Sequence, residues 1–278
     1  MSQPHTTDRQ RSSSAREALA QYFLSAPPYS DQTPDERRTF IDKLRQLGQI
    51  ENREVLQAAG SHRPLVWDNP VPLIQNMLTA AQRLAAAHGQ TLLLFPAADT
   101  SFRFQAMMHP RLLTLATANL LAAVTATADG DTVWVRLQEQ EHCLTVSATT
   151  TESVTDSEAL AVIQECARLH GGSLAQCDNC VAFSCSRVDT PPQEVRHYVC
   201  PTADELCRDT LSPLWTIFYS SVASRMSSDR TVSTGGNSSA SSPKSSSKDV
   251  SEGSSKHSDT SASSDSSAGD AGDSSTES

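Results

Sequence analysis

The sequence predicts an α+β fold, a two-layer α/β sandwich with helices on one face of a mixed sheet. Three observations lead there. Segments with apolar residues at three- and four-residue spacing alternate with pairs of short runs that alternate apolar and polar, in the order helix, two strands, three times over. Thr followed three residues later by Glu marks two of the helix starts. From Ser227 onward, Ser, Gly, Asp, Thr and Lys leave almost no apolar surface to bury, so the last fifth is expected to stay disordered.

Taken in order, residues 1–14 are polar and expected to be flexible. A short helix is expected over 15–24, and Pro27-Pro28 breaks the connection to the next. Thr33-Pro34-Asp35-Glu36 opens that second helix, with Phe40, Ile41, Leu44, Leu47 and Ile50 on one face. Residues 15–58 thus form a helical hairpin. Asn69-Pro70 starts a third helix carrying Leu73, Ile74, Met77, Ala81 and Leu84, with Gly89 as its stop. Strands are expected over 91–95 and 102–106. A very apolar helix then runs from near Pro110 to before Asp129-Gly130, with Asn119 the one amide in its middle. A hairpin follows over 132–137 and 143–146. Thr155-Asp156-Ser157-Glu158 reads as a further capping box ahead of Leu160, Ile163, Cys166 and Leu169, and a last hairpin covers 174–176 and 181–186. Residues 189–226 form an extension whose apolar stretch, 211–222, is expected to pack on the domain as helix or strand, since left free it would be an aggregation hazard.

Composition narrows function. The formal charge of −10 comes with no basic cluster, and Lys43 is the only lysine before the tail, which disfavours nucleic acid as a partner. No stretch reaches the roughly 18–20 apolar residues of a membrane span, and the N-terminus lacks a signal-peptide core. A cytoplasmic protein is expected, and an odd count of seven irregularly spaced cysteines fits reduced thiols. Cys177-Asp178-Asn179-Cys180 has zinc-knuckle spacing but lacks an obvious second pair. Asp-Asn between two strands is also an ordinary tight turn that sets the cysteines opposite each other, so no metal site is assigned.

The helix around Asn119 and the later His170-Gly171-Gly172-Ser173-Leu174, with strands between them, resemble landmarks of the ATPase domain of sensor histidine kinases, the GHKL or Bergerat fold. The likeness covers residues 69–188 and implies a nucleotide site. The family's helix carries two amides four residues apart. The first matches Asn119, a relic nucleotide-site amide on this resemblance; the second, a magnesium ligand, falls on Ala123. A methyl group cannot ligate a hard cation. The family's Asp-x-Gly-x-Gly falls on Ala148-Thr149-Thr150-Thr151-Glu152, losing the carboxylate that accepts from adenine and the glycines beside it. The glycine-rich lid has no counterpart, and Asp156 and Glu158 stand where phosphate would approach the last helix. Ser61-His62-Arg63-Pro64-Leu65 is superficially similar to the family's phosphoacceptor motif, but it sits in a Gly/Pro-bounded loop and reads as a surface histidine. The helices of 15–58 are similar to a remnant of the family's dimerisation helices.

The resemblance therefore implies a degenerate histidine-kinase-like ATPase domain, a non-catalytic signalling or interaction module working through a protein partner or as a homodimer. No cofactor, no catalytic residue and no metal ligand is assigned. The alternative is an ATP-binding sensor histidine kinase of a two-component system, holding ATP and magnesium in a rearranged pocket.

Overall fold

A computed structural model describes residues 5–58, 66–87, 91–95, 104–127, 132–191 and 198–224. His62, Gly89, the Asp129-Gly130 turn and the Ser-rich tail lie outside the described residues.

Helix α1 (His5–Ser25) begins ten residues before the start expected at Ala15, carried backward by a polar run. After a short 3-10 turn (Tyr29–Asp31), α2 (Pro34–Gln57) starts with the expected capping box: Glu36 N–H donates to Thr33 Oγ1, and Thr33 N–H donates to the Glu36 carboxylate. Strand β1 (Val66–Asp68) was not legible, because three residues carry too little periodicity. It pairs antiparallel with β3 (Ala106–Met108), the shifted remainder of the strand expected over 102–106. Between them lie α3 (Val71–Ala86), opened by Asn69 Oδ1 accepting from Val71 N–H, and β2 (Thr91–Phe95).

The main sheet holds β2, β4 (Thr132–Glu139), β5 (Cys143–Thr149), β7 (Cys180–Ser186) and β6 (Leu174–Cys177), in that order. Only β2–β4 is parallel, so the sheet is mixed. Strict alternation turns Val133, Val135, Leu137, Leu144, Val146, Ala148, Val181, Phe183 and Cys185 inward. Those residues meet α4 (Pro110–Thr127) and α5 (Ser157–Leu169), which completes the two-layer α/β sandwich. The other face of the sheet, with Trp134 at 46% exposure, carries no helix among the described residues.

The start of α5 differs from expectation. Asp156, rather than Thr155, is the cap, accepting from Ala159 N–H, so no capping box forms there. The box that sequence inspection overlooked is Thr202 with Glu205, opening α6 (Ala203–Arg208). At the far end of α5, Gly171 takes φ +69°, a left-handed helix stop that glycine adopts without strain. His170, just before it, is 4% exposed. His109 N–H donates to its Nε2 at 3.0 Å, so Nδ1 carries the proton and donates to Cys166 O at 2.6 Å. One neutral imidazole thus joins the end of α5 to the start of α4.

The apolar stretch of the C-terminal extension is helical and packs within the fold. A π-helix (Leu214–Tyr219) continues as helix to Ser224 and lies against α2, α3 and α4. The Ser220 and Ser224 hydroxyls each donate to the carbonyl four residues earlier. Leu214, Trp215, Phe218 and Tyr219 are all buried, and Trp215 and Tyr219 meet the Tyr29 ring edge to face.

Candidate functional site

Asn119 lies midway along α4, and the surroundings of its side chain decide what it can do. It is 2% exposed and faces Asn52 of α2, which is 8% exposed. Each amide donates to the other's oxygen at 3.0 Å, and Asn119 Nδ2 also donates to Leu115 O at 2.9 Å. Both amide hydrogens of Asn119 are therefore engaged inside the protein.

Six residues before the end of α2, Glu51 is 4% exposed and bonded from three elements. Arg111, at the start of α4, and Arg16, from α1, form ion pairs with it, and Thr216 Oγ1 of the π-helix donates to it at 3.2 Å. Burial pushes the Glu51 carboxyl above its ordinary value, against the pull of Arg111, Arg16 and the Thr216 bond. This cluster and the Asn52–Asn119 pair hold α2 across α4. The approach of α2 to the π-helix needs Gly48, because a methyl group there would meet Thr216 O at 2.6 Å.

Between these elements runs a cleft of about 240 Å³. Arg45 and Asn52 line it from α2, Asn119 and Ala122 from α4, Asp156 and Glu158 from the start of α5, and Thr216 and Ser220 from the π-helix. Its charged groups are one cation and two carboxylates. Asp156 is already committed to capping α5. The arrangement suits small polar groups better than a run of phosphates, which the two carboxylates would repel.

Two other positions singled out from sequence fall into the core. Ala123 is buried on α4, and Ala148 is buried on the inward face of β5. Past Ala148 the chain turns: Thr150 N–H donates to Asn179 O, and the Thr150 and Thr127 hydroxyls bond each other at 3.1 Å. Glu152 is exposed beyond that turn. Among the described residues no group of three or more His, Cys, Asp or Glu could hold a metal ion, and no helix is long and apolar enough to cross a membrane.

No family model and no curated protein matches the chain. The chain is similar in fold to histidine kinases. It resembles full-length ShkA in complex with AMPPNP at 11% identity and a TM-score of 0.47, over 68% of this chain and 46% of that one. It resembles the histidine kinase AdeS of Acinetobacter baumannii at 8% identity and a TM-score of 0.44, over 66% and 98%. For the histidine kinase ThkA in complex with the response regulator protein TrrA the values are 11%, 0.41, 67% and 62%. The chain spans less than half the length of ShkA. At these identities the likeness is one of fold and says nothing of the cleft's chemistry.

Asn52, Glu51 and Thr216 escaped sequence inspection. A signal for the first two existed: buried positions on α2 run Leu44, Leu47, Gly48, Glu51, Asn52, Val55, so Glu and Asn continue the apolar stripe at helical spacing. Polar residues on such a stripe require buried partners. Nothing local pointed to Thr216, which lies 165 residues from Glu51.

Proposed function

We propose that this chain is a degenerate histidine-kinase-like module that acts without catalysis, by binding a protein partner or a second copy of itself. The observation that carries it is the reciprocal Asn52–Asn119 amide pair under α2. The amide that the resemblance assigns to a nucleotide is spent on the protein's own fold, and freeing it would leave Asn52 buried without its partner, at about 1–3 kcal/mol. Further support comes from Ala123 and Ala148, which offer neither a cation ligand nor an acceptor for a base, and from the two carboxylates at the cleft. A formal charge of −10 without a basic cluster favours protein over nucleic acid as the partner class.

The test is a melting scan of the full chain with magnesium and millimolar ATP. A ligand at a hundred times its dissociation constant adds about 2.7 kcal/mol of stability. No shift is the expected result, and a dose-dependent rise in melting temperature would overturn the proposal. Sedimentation over a range of protein concentrations then separates self-association from a distinct partner.

One observation favours the second reading, a nucleotide-binding kinase with a rearranged pocket. An open cleft does remain beside Asn119. At about 240 Å³ it falls below the ~300–1,000 Å³ usual for sites that enclose drug-sized ligands, so this reading requires α2 or the π-helix to move.

A further inference from the structure

Cys177 and Cys180 close the tip of the β6–β7 hairpin, and no part of the proposed function uses them. They are direct cross-strand partners on either side of the Asp178–Asn179 turn. Cys177 is exposed, Cys180 half-buried, and both are free thiols. The Cys177 thiol donates to Cys180 O at 3.4 Å, so its sulfur already leans across the hairpin. Residues opposite each other in an antiparallel pair stand about 4.5–5.5 Å apart at Cα. A disulfide spans roughly 4.4–6.8 Å, so cross-strand partners lie within its Cα reach. Strand β6 is a sheet edge, which leaves the tip open to small reagents.

The other thiols are placed differently. Cys166 and Cys185 are buried in the core, and burial pushes the Cys185 thiol up to about 12. Cys143, Cys200 and Cys207 are half-buried and have no cysteine as cross-strand partner.

We propose that Cys177 and Cys180 form a thiol-modification site, oxidised reversibly to an intramolecular disulfide by small disulfides of the glutathione class. The exposed Cys177, as thiolate, attacks one sulfur of the small disulfide, forming a mixed disulfide and expelling one small thiolate. Cys180 then loses its proton and attacks Cys177 Sγ, forming the Cys177–Cys180 bond and expelling the second small thiolate. The protons of the two cysteines end on the two released thiols; the protein pair gives up two electrons and the small disulfide accepts them. Burial and the neighbouring Cys177 raise the Cys180 thiol above its ordinary value, which suits the resolving role better than the attacking one. The hairpin is also tied to the chain leading into the cleft. Thr150 N–H donates to Asn179 O within the turn, and Gln176 Nε2 donates to Val154 O at 2.8 Å, two residues before Asp156. The modified tip therefore adjoins the segment that positions one wall of the cleft.

The test treats the reduced full-length chain with oxidised glutathione, quenches with acid at intervals, alkylates remaining thiols and locates modifications by peptide mass spectrometry. The Cys177–Cys180 disulfide is expected first, before glutathione reaches Cys143, Cys200 or Cys207, and dithiothreitol should reverse it. Cys180→Ser should hold a lasting glutathione adduct on Cys177, and Cys177→Ser should lose the internal disulfide altogether. The proposal is overturned if the unmutated chain accumulates glutathione on Cys177 while Cys180 stays open to alkylation, or if another cysteine reacts first. Because that outcome is read on the unmutated chain, a misfolded variant does not obscure it.

Discussion

Asn119 and His170 show how burial changes what a polar side chain can do. An exposed amide on α4 would be free to meet a ligand; a buried one must be satisfied within the fold, and Asn52 satisfies it. Asn119→Ala should destabilise the chain by about 1–3 kcal/mol, because Asn52 is left without its partner. Replacing both residues by Leu should recover most of that loss, since no orphaned amide remains; urea unfolding of the two variants checks it. His170 gives a pH dependence. Burial holds its imidazole below the ordinary value of 6.5, against the raising effect of its bond to Cys166 O. With the folded-state pKa below the unfolded one, the unfolded chain takes up the proton first. The contribution is therefore whole above about pH 6.5 and is lost as pH falls through the folded value. His170→Phe should be less stable at neutral pH yet flatter in the acid range, as denaturation midpoints against pH would reveal. The prominence of Asn119 was legible in the sequence, as one amide in an apolar helix. Its partner was not, because Asn52 lies 67 residues away and nothing local links the two.

Among the elements, α2 was legible from its capping box and apolar face, yet its place against the π-helix was not. Helical spacing tells which side of a helix is buried, not what buries it. Gly48 is the residue that fixes this placement. Gly48→Ala puts a methyl group against Thr216 O, where backbone must give way, and should cost about 1–3 kcal/mol despite better helix propensity. Gln46→Ala, at an exposed site on the same helix, should be nearly neutral, so a lower melting temperature for Gly48→Ala reports crowding at Thr216. The hairpins were readable because β4, β5 and β7 alternate cleanly, each with one face in the core. β1 and β3 were missed or shifted because three-residue strands, set in a separate small sheet, take their conformation from tertiary contact.

Across the whole molecule, the two-layer plan followed from the order of helices and strand pairs, whereas the joining of the two ends of the described chain did not. Residues near 50 and near 216 lie on opposite sides of the sandwich in sequence and meet over α4. Trp215 anchors this closure, stacking on Tyr219 and donating through Nε1 to Cys207 O at 2.9 Å. Trp215→Ala should cost about 3–5 kcal/mol. The loss should appear in a single cooperative transition, since the π-helix shares one core with the sandwich; a separate early transition in calorimetry would show that it does not. The 165-residue reach from Glu51 to Thr216 also bears on how the protein is made. A nascent chain emerging from the ribosome at about 5–20 residues per second can assemble its sheet before the last helical turns exist. During those seconds the apolar residues of α4 lack part of their final cover, and synthesis of the π-helix, rather than of the strands, sets the moment when the fold can close.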